Sequence, residues 1–250
     1  MRSKGRGGGL FRTRRRVPEL LPRVHKTSPA PVLFVLATIL STVTGCGIQS
    51  YPYLAPVDEV RAPLAGEKFF EFTNRTDNDA TFFYGYEIYY KFYSTDVGSS
   101  FESEEQTLQN GVSLSQATGT LGFHRLSVLN DSVSKPLVSV EPGNRGTSFQ
   151  ITLDFSGVAT PGNYPEFTYN TKNFEAARFV LGPGDTADNF YSFSPGELTD
   201  EYEDLTTEML TGTGTVRLAL IVFTYGKYNI YQELYSAEAA YLGSITLTTP

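Results

Sequence analysis

The chain has 250 residues, with 20 basic and 27 acidic side chains, one cysteine, 16 tyrosines and no tryptophan. The first 45 residues take nine of the bases and only one of the acids, so the remaining 205 residues carry a formal charge of −15. A polyanion of that size argues against nucleic acid or anionic headgroups as partners, and a lone cysteine excludes an internal disulfide.

The leader is basic, from Arg2 to Lys26, and then turns apolar over residues 32–43 (VLFVLATILSTV). Twelve residues of helix rise about 18 Å, short of a hydrocarbon core of about 30 Å. A basic start, a short apolar middle and a small-residue exit form a secretory signal. The exit, Val43-Thr44-Gly45-Cys46, resembles the lipobox of bacterial lipoproteins. That resemblance implies cleavage between Gly45 and Cys46, a diacylglyceryl group on the Cys46 sulfur, and acylation (palmitate-type) of the new amino end. Two or more acyl chains anchor stably at roughly 0.8 kcal/mol per buried methylene. Two alternatives stay open: a single transmembrane helix over residues 30–48, and Cys46 as an ordinary buried thiol. The expected organisation is a signal peptide at 1–45, a lipidated N-terminus and tether at 46–66, and a β-domain at 67–250, either single or made of two interleaved sub-domains.

Residues 47–66 (GIQSYPYLAPVDEVRAPLAG) contain three prolines and no period, which reads as a flexible tether. A first strand is predicted at 69–73. The turn that follows, NRTDND, offers Asp77 and Asp79 with Asn78 as oxygen ligands for calcium, and Asp185 and Asp188 offer the same in a later loop. Asx residues also build turns without metal.

The strongest strand is 81–93 (TFFYGYEIYYKFY). Its even positions are predicted to face a core, and its odd positions, including Tyr89 and Tyr93, a solvent face able to bind a partner. Gly85 is expected to mark a bulge. Residues 94–122 are polar. Ser99 and Glu102 form a capping-box pattern ahead of Phe101, Glu105 and Leu108, so a short surface helix is predicted there.

Strands are expected at 123–129, 137–140, 149–155 and 176–181, separated by Pro-Gly-Asn turns. Residues 194–210 change period: Ser194, Pro195 and Glu197 read as a helix start, and Leu198, Tyr202, Leu205 and Met209 as an apolar stripe. The opposite face would be acidic. A central strand at 215–225 and an alternating one at 239–247 close the chain.

This spacing predicts a mainly β fold, an antiparallel β-sandwich with insertions and one or two short helices. GYEIYYKFY (85–93) resembles the third strand of fibronectin type III domains, and residues 218–247 resemble the last two strands, with Ser236 at the bend. These pieces imply a fibronectin III or immunoglobulin-like sandwich, although the tryptophan usual in its second strand is replaced by Phe70 or Phe72. Lipobox, aromatic sandwich and acidic mature chain together resemble lipoproteins of spirochaetes, treponemal ones especially. The resemblance implies an envelope location, the outer membrane facing periplasm or surface.

No G-x-S-x-G elbow occurs, and the mature chain has one histidine, His124, on a predicted strand. The expectation is therefore a non-enzymatic, cofactor-free binding or adhesion module for an envelope or host protein or glycan. The alternatives are a structural subunit docking through the acidic 194–210 helix, and a hydrolase built around His124 or paired carboxylates.

Overall fold

The computed structural model describes residues 52–96, 99–210 and 214–250. The stretch read as a signal peptide, and the expected cleavage and lipidation site at Gly45 and Cys46, lie outside the described residues. Twelve strands form one antiparallel sheet: β1 (Val60–Arg61), β2 (Phe69–Thr73), β3 (Phe83–Ser94), β4 (His124–Val128), β5 (Val138–Ser139), β6 (Gln150–Asp154), β7 (Glu166–Tyr169), β8 (Lys172–Val180), β9 (Asn189–Tyr191), β10 (Thr215–Lys227), β11 (Glu233–Tyr235) and β12 (Ala240–Thr248). The path runs β1-β2-β6-β7-β8-β4-β3-β10, with β11 and β12 on the far side of β10. The sheet curls until β12 lies beside β1 and β2, so it nearly closes into a barrel. Mainly β, antiparallel architecture is what the strand count predicted.

The centre of the sheet is the pairing of β3 with β10, from Val216 opposite Ser94 to Gly226 opposite Phe83. Both strands are rich in β-branched and aromatic side chains, which fit a pleated, buried surface. Tyr86, Ile88, Tyr90 and Phe92 of β3 and Val216, Leu218, Leu220 and Val222 of β10 point into one interior. They meet Phe70, Phe72, Leu126, Ile151, Leu153, Phe167, Leu242 and Leu247 there. Each such side chain contributes about 1.5–3 kcal/mol when buried. At Gly85 the register shifts, and the phase of β3 flips so that Phe83 rather than Phe82 or Tyr84 enters the core. Only glycine fits: its φ is 152°, and a Cβ would stand 1.9 Å from the Val138 carbonyl oxygen.

The predicted surface helix forms as α1 (Ser100–Gln109) and ends before Gly111 at φ 86°. Ser99 is extended, as an N-cap should be, but its side chain makes no capping bond. Phe101 and Leu108 anchor the helix, and with Val112, Ala117 and Phe123 the segment covers the outer faces of β3 and β10. This corrects the expectation for Tyr89 and Tyr93, which are only 5% and 1% exposed. The alternation holds from Tyr86 onward, and there the second face meets a cover instead of solvent.

Two further expectations fail in the described residues. Residues 52–66 are not a free tether: Leu54 and Val57 are buried in the core, Asn78 is hydrogen-bonded with both backbone groups of Ala55, and Val60 and Arg61 pair with β2. Residues 194–210 are not an α-helix. They form two single 3₁₀ turns, Pro195–Glu197 and Thr207–Met209, separated by irregular chain.

The apolar residues of the predicted stripe do enter the interior, Leu198 and Leu205 almost completely. A competing polar attraction breaks the helix. Asp204 is drawn inside to pair with Arg178 at 2.8 Å, both side chains fully buried. The Tyr90 hydroxyl donates to the other Asp204 oxygen at 2.6 Å, and the Arg178 guanidinium donates to the Ser192 and Glu197 carbonyls. Burial first, then the neighbouring Asp204 charge, raises the Tyr90 phenol well above its usual range, so the hydroxyl stays a donor. Six acids along one helical stretch would also repel one another.

A buried pair that loses one member leaves the other charge uncompensated. Asp204→Ala should therefore lower stability by about 3–5 kcal/mol in urea denaturation. Asp204→Asn, which keeps an acceptor for Tyr90, should fall between that variant and the unaltered chain.

Candidate functional site

Where β12 approaches β1 and β2, among the described residues no backbone ladder joins the strands. The contact is made by side chains and by the loop 62–68. Gly243 of β12 carries it: a Cβ there would stand 2.8 Å from Pro63 Cδ and 3.0 Å from Ala62 Cβ, and its φ is 107°. Just beyond this contact the seam opens into a cleft of about 340 Å³. Its walls are the loop 63–68, α1 through Phe101 and Glu105, Arg217 of β10, and residues 244–246 of β12.

The cleft is polar, and its charges differ in how they are held. Glu67 accepts from Arg61 at 2.8 Å and from the Leu64 N–H at 3.0 Å. The Leu64 N–H and then Arg61 hold its carboxyl below the usual range. Glu105 accepts from the Tyr241 hydroxyl at 3.1 Å. The cations differ. Arg217 is half-buried and lies opposite Tyr93 and Thr246 in the sheet, with its guanidinium stacked 4.2 Å above the Phe101 ring. Neither Arg217 nor Lys68 has a side-chain hydrogen bond or carboxylate partner among the described residues.

Phe101 is fixed in turn by Tyr93, with ring centroids 5.1 Å apart at 70°. The Tyr93 hydroxyl donates to Glu104 at 2.8 Å, and Lys91 donates to the same oxygen at 2.8 Å. Desolvation and Glu104 push the Tyr93 phenol upward, which keeps it a donor. The chemistry of the site follows. A planar guanidinium with free donors, preoriented on an aromatic face in a cleft that Lys68 also lines, suits a carboxylate or phosphate.

The other residues singled out in the sequence do not converge. Asp77 is taken by Arg75 at 2.6 and 3.0 Å. Asp79 accepts the Thr81 N–H at 2.9 Å, closing a turn. Among the described residues no group of three or more His, Cys, Asp or Glu side chains is arranged to hold a metal. Asp185 accepts from Tyr191, and His124 of β4 is half-buried beside Tyr90, ring centroids 5.8 Å apart.

A second cleft, about 270 Å³, holds Asp154, Glu166 and Glu175, which face one another across β6, β7 and β8. In the sequence Arg217 stands at the start of an apolar strand, where one charged residue reads as an end marker. Its lack of a partner is visible only in three dimensions.

Among the described residues no helix is long and apolar enough to cross a membrane. Compared with family models, curated proteins and solved structures, the chain matches none of them.

Gly243 supplies a test of the seam. Gly243→Ala meets Pro63 and a φ that L-residues avoid, so it should cost about 1–3 kcal/mol. Amide exchange should quicken in β1, β2 and β12 ahead of β3 and β10.

Proposed function

We propose that the chain is a lipid-anchored, non-enzymatic binding protein of the cell envelope, which takes an anionic group in the seam cleft. The observation that carries the ligand reading is Arg217: a half-buried guanidinium, stacked on Phe101, without a side-chain partner among the described residues of a chain otherwise rich in carboxylates. An unpaired cation beside so many acids is placed for a ligand more economically than for stability. The 46-residue start, ending in Val43-Thr44-Gly45-Cys46, supports anchoring through a lipidated Cys46. The strings resembling fibronectin III strands, in β3 and β10–β12, are consistent with a binding scaffold.

The partner on this reading is an acidic peptide or an acidic glycan of the envelope or host. The structural-subunit alternative rested on an acidic helix at 194–210 that does not form.

Two measurements test the proposal. Titrating the protein with acidic peptides, uronic-acid oligosaccharides and, as minimal probes, acetate and inorganic phosphate should find saturable binding to at least one. Arg217→Ala should weaken that binding about 10- to 100-fold, the loss of one charge-assisted contact of about 1.5–3 kcal/mol. Binding unchanged in the variant would remove the cleft from the reading. Separately, cell fractionation should find the chain with membranes, and Cys46→Ser should move it to the soluble fraction.

A further inference from the structure

The end of the barrel farthest from the cleft carries an exposed apolar cluster. The β10–β11 hairpin turns through residues 228–232, with Asn229 accepting the Tyr231 and Gln232 N–H groups at 2.9 and 2.8 Å and the Tyr228 N–H donating to the Gln232 carbonyl at 3.0 Å. The turn is therefore ordered, yet Tyr231 is 90% and Ile230 80% exposed. Tyr228 stacks on Phe82, ring centroids 5.8 Å apart. Side chains of this kind on the tip of a rigid hairpin do nothing for the core.

The N-terminal segment reaches the same place. Leu54 packs against Gly226, and the Ala55 carbonyl accepts from the Thr224 hydroxyl at 2.7 Å. Leu54 is buried while Tyr53, its neighbour, is 67% exposed. Tyr53, Phe82, Tyr228, Ile230 and Tyr231 thus gather at the end where the described chain begins. Five residues lie between Cys46 and Pro52, and the six steps along the chain span at most about 20 Å.

We infer that this aromatic tip is a membrane-facing foot: Tyr53, Tyr228, Ile230 and Tyr231 rest in the headgroup region of the bilayer that holds the lipidated Cys46. The inference rests on the anchor reading above. Tyrosine suits the position because its ring enters the apolar boundary while its hydroxyl stays hydrated. Three rings and one aliphatic side chain at headgroup depth would hold a free protein only weakly, but a tether of this length keeps the tip at the surface.

Local charge does not oppose contact. Lys227 flanks the tip, and Arg75 pairs with both Asp58 and Asp77 on the neighbouring loop. The orientation has a consequence for the cleft. Arg217 lies ten residues back along β10 from Lys227, about 33 Å of strand, so the cleft lies toward the end away from the bilayer.

The chain has no tryptophan, so Tyr231→Trp and, at the cleft end, Leu64→Trp each install a sole reporter at an exposed position. The full chain, processed in a lipidating bacterial host, is reconstituted in phosphatidylcholine vesicles bearing brominated acyl chains. Emission from the Tyr231→Trp protein should be quenched several-fold more than that from Leu64→Trp. Equal quenching, or none, on chains that float with the vesicles overturns the foot and leaves the anchor standing. A blue-shifted but unquenched emission from the Tyr231→Trp protein also overturns it, in favour of a protein neighbour. Flotation that survives Cys46→Ser defeats the anchor reading instead. Quenching of Tyr231→Trp in that floating Cys46→Ser chain then decides the foot alone, stronger quenching than at Leu64→Trp supporting it and its absence removing it.

Discussion

The pairing of β3 with β10 is the constraint on which the rest of the structure depends. Both strands are long, both are buried on two faces, and their register is pinned at one end by the Gly85 bulge. A slip of one residue would exchange Tyr86, Ile88, Tyr90 and Phe92 for Glu87, Tyr89, Lys91 and Tyr93 in the interior, burying two charges there. The inner face nucleates the barrel core. The outer face requires a lid, which the chain supplies through α1 and the residues after it. The cleft is a by-product of that arrangement, since Phe101 must sit over Tyr93 and Ala219, and Arg217 is the next side chain along the strand.

The interior is secured by a second device. Arg178 on β8, Asp204 on the irregular segment and Tyr90 on β3 join three parts of the chain that are distant in sequence. The guanidinium also faces the rings of Tyr202, Phe92 and Phe193, at 4.9, 5.7 and 5.7 Å. Such a group contributes little net stability compared with an apolar filling, because desolvation offsets most of the attraction. Its effect is to tie residues 192–205 to β8 and β3, since the Arg178 guanidinium reaches the Ser192 and Glu197 carbonyls as well as Asp204. Glu87, fully buried, is held in a similar way against Arg125 at 2.5 Å, with the Ser132 and Ser134 carbonyls accepting two further guanidinium N–H groups. Desolvation raises the Glu87 carboxyl, and Arg125 opposes that shift.

Much of the fold was legible in the sequence, and the reasons it failed elsewhere are physical. Alternation located β2, β3, β6, β10 and β12, because each has at least one continuous apolar face. β7 was missed because EFTY is only four residues and its hairpin to β8 turns through Asn170 and Thr171 at φ 44° and 67°, a loop with no glycine to announce it. The segment 194–210 had helical spacing and a start signal, and tertiary pairing of one buried acid overrode both. Tyr89 and Tyr93 show a different limit: periodicity separates two faces of a strand but does not say what covers the second. For the site, the sequence offered residue types and no pairing. Asp77 and Asp79 looked available and are occupied, while Arg217 had nothing in the sequence to single it out and has no side-chain partner among the described residues.

The loop that closes the seam has one more consequence. β12 would otherwise end the sheet with a row of open backbone groups, the kind of edge onto which another chain adds a strand. Ala62 and Pro63 sit against that edge at Gly243, and proline has no N–H to offer a ladder. The barrel is therefore left ajar without becoming sticky. Copies crowded side by side meet a blunted margin there, and growth of one sheet into the next is stopped by two small residues and a ring.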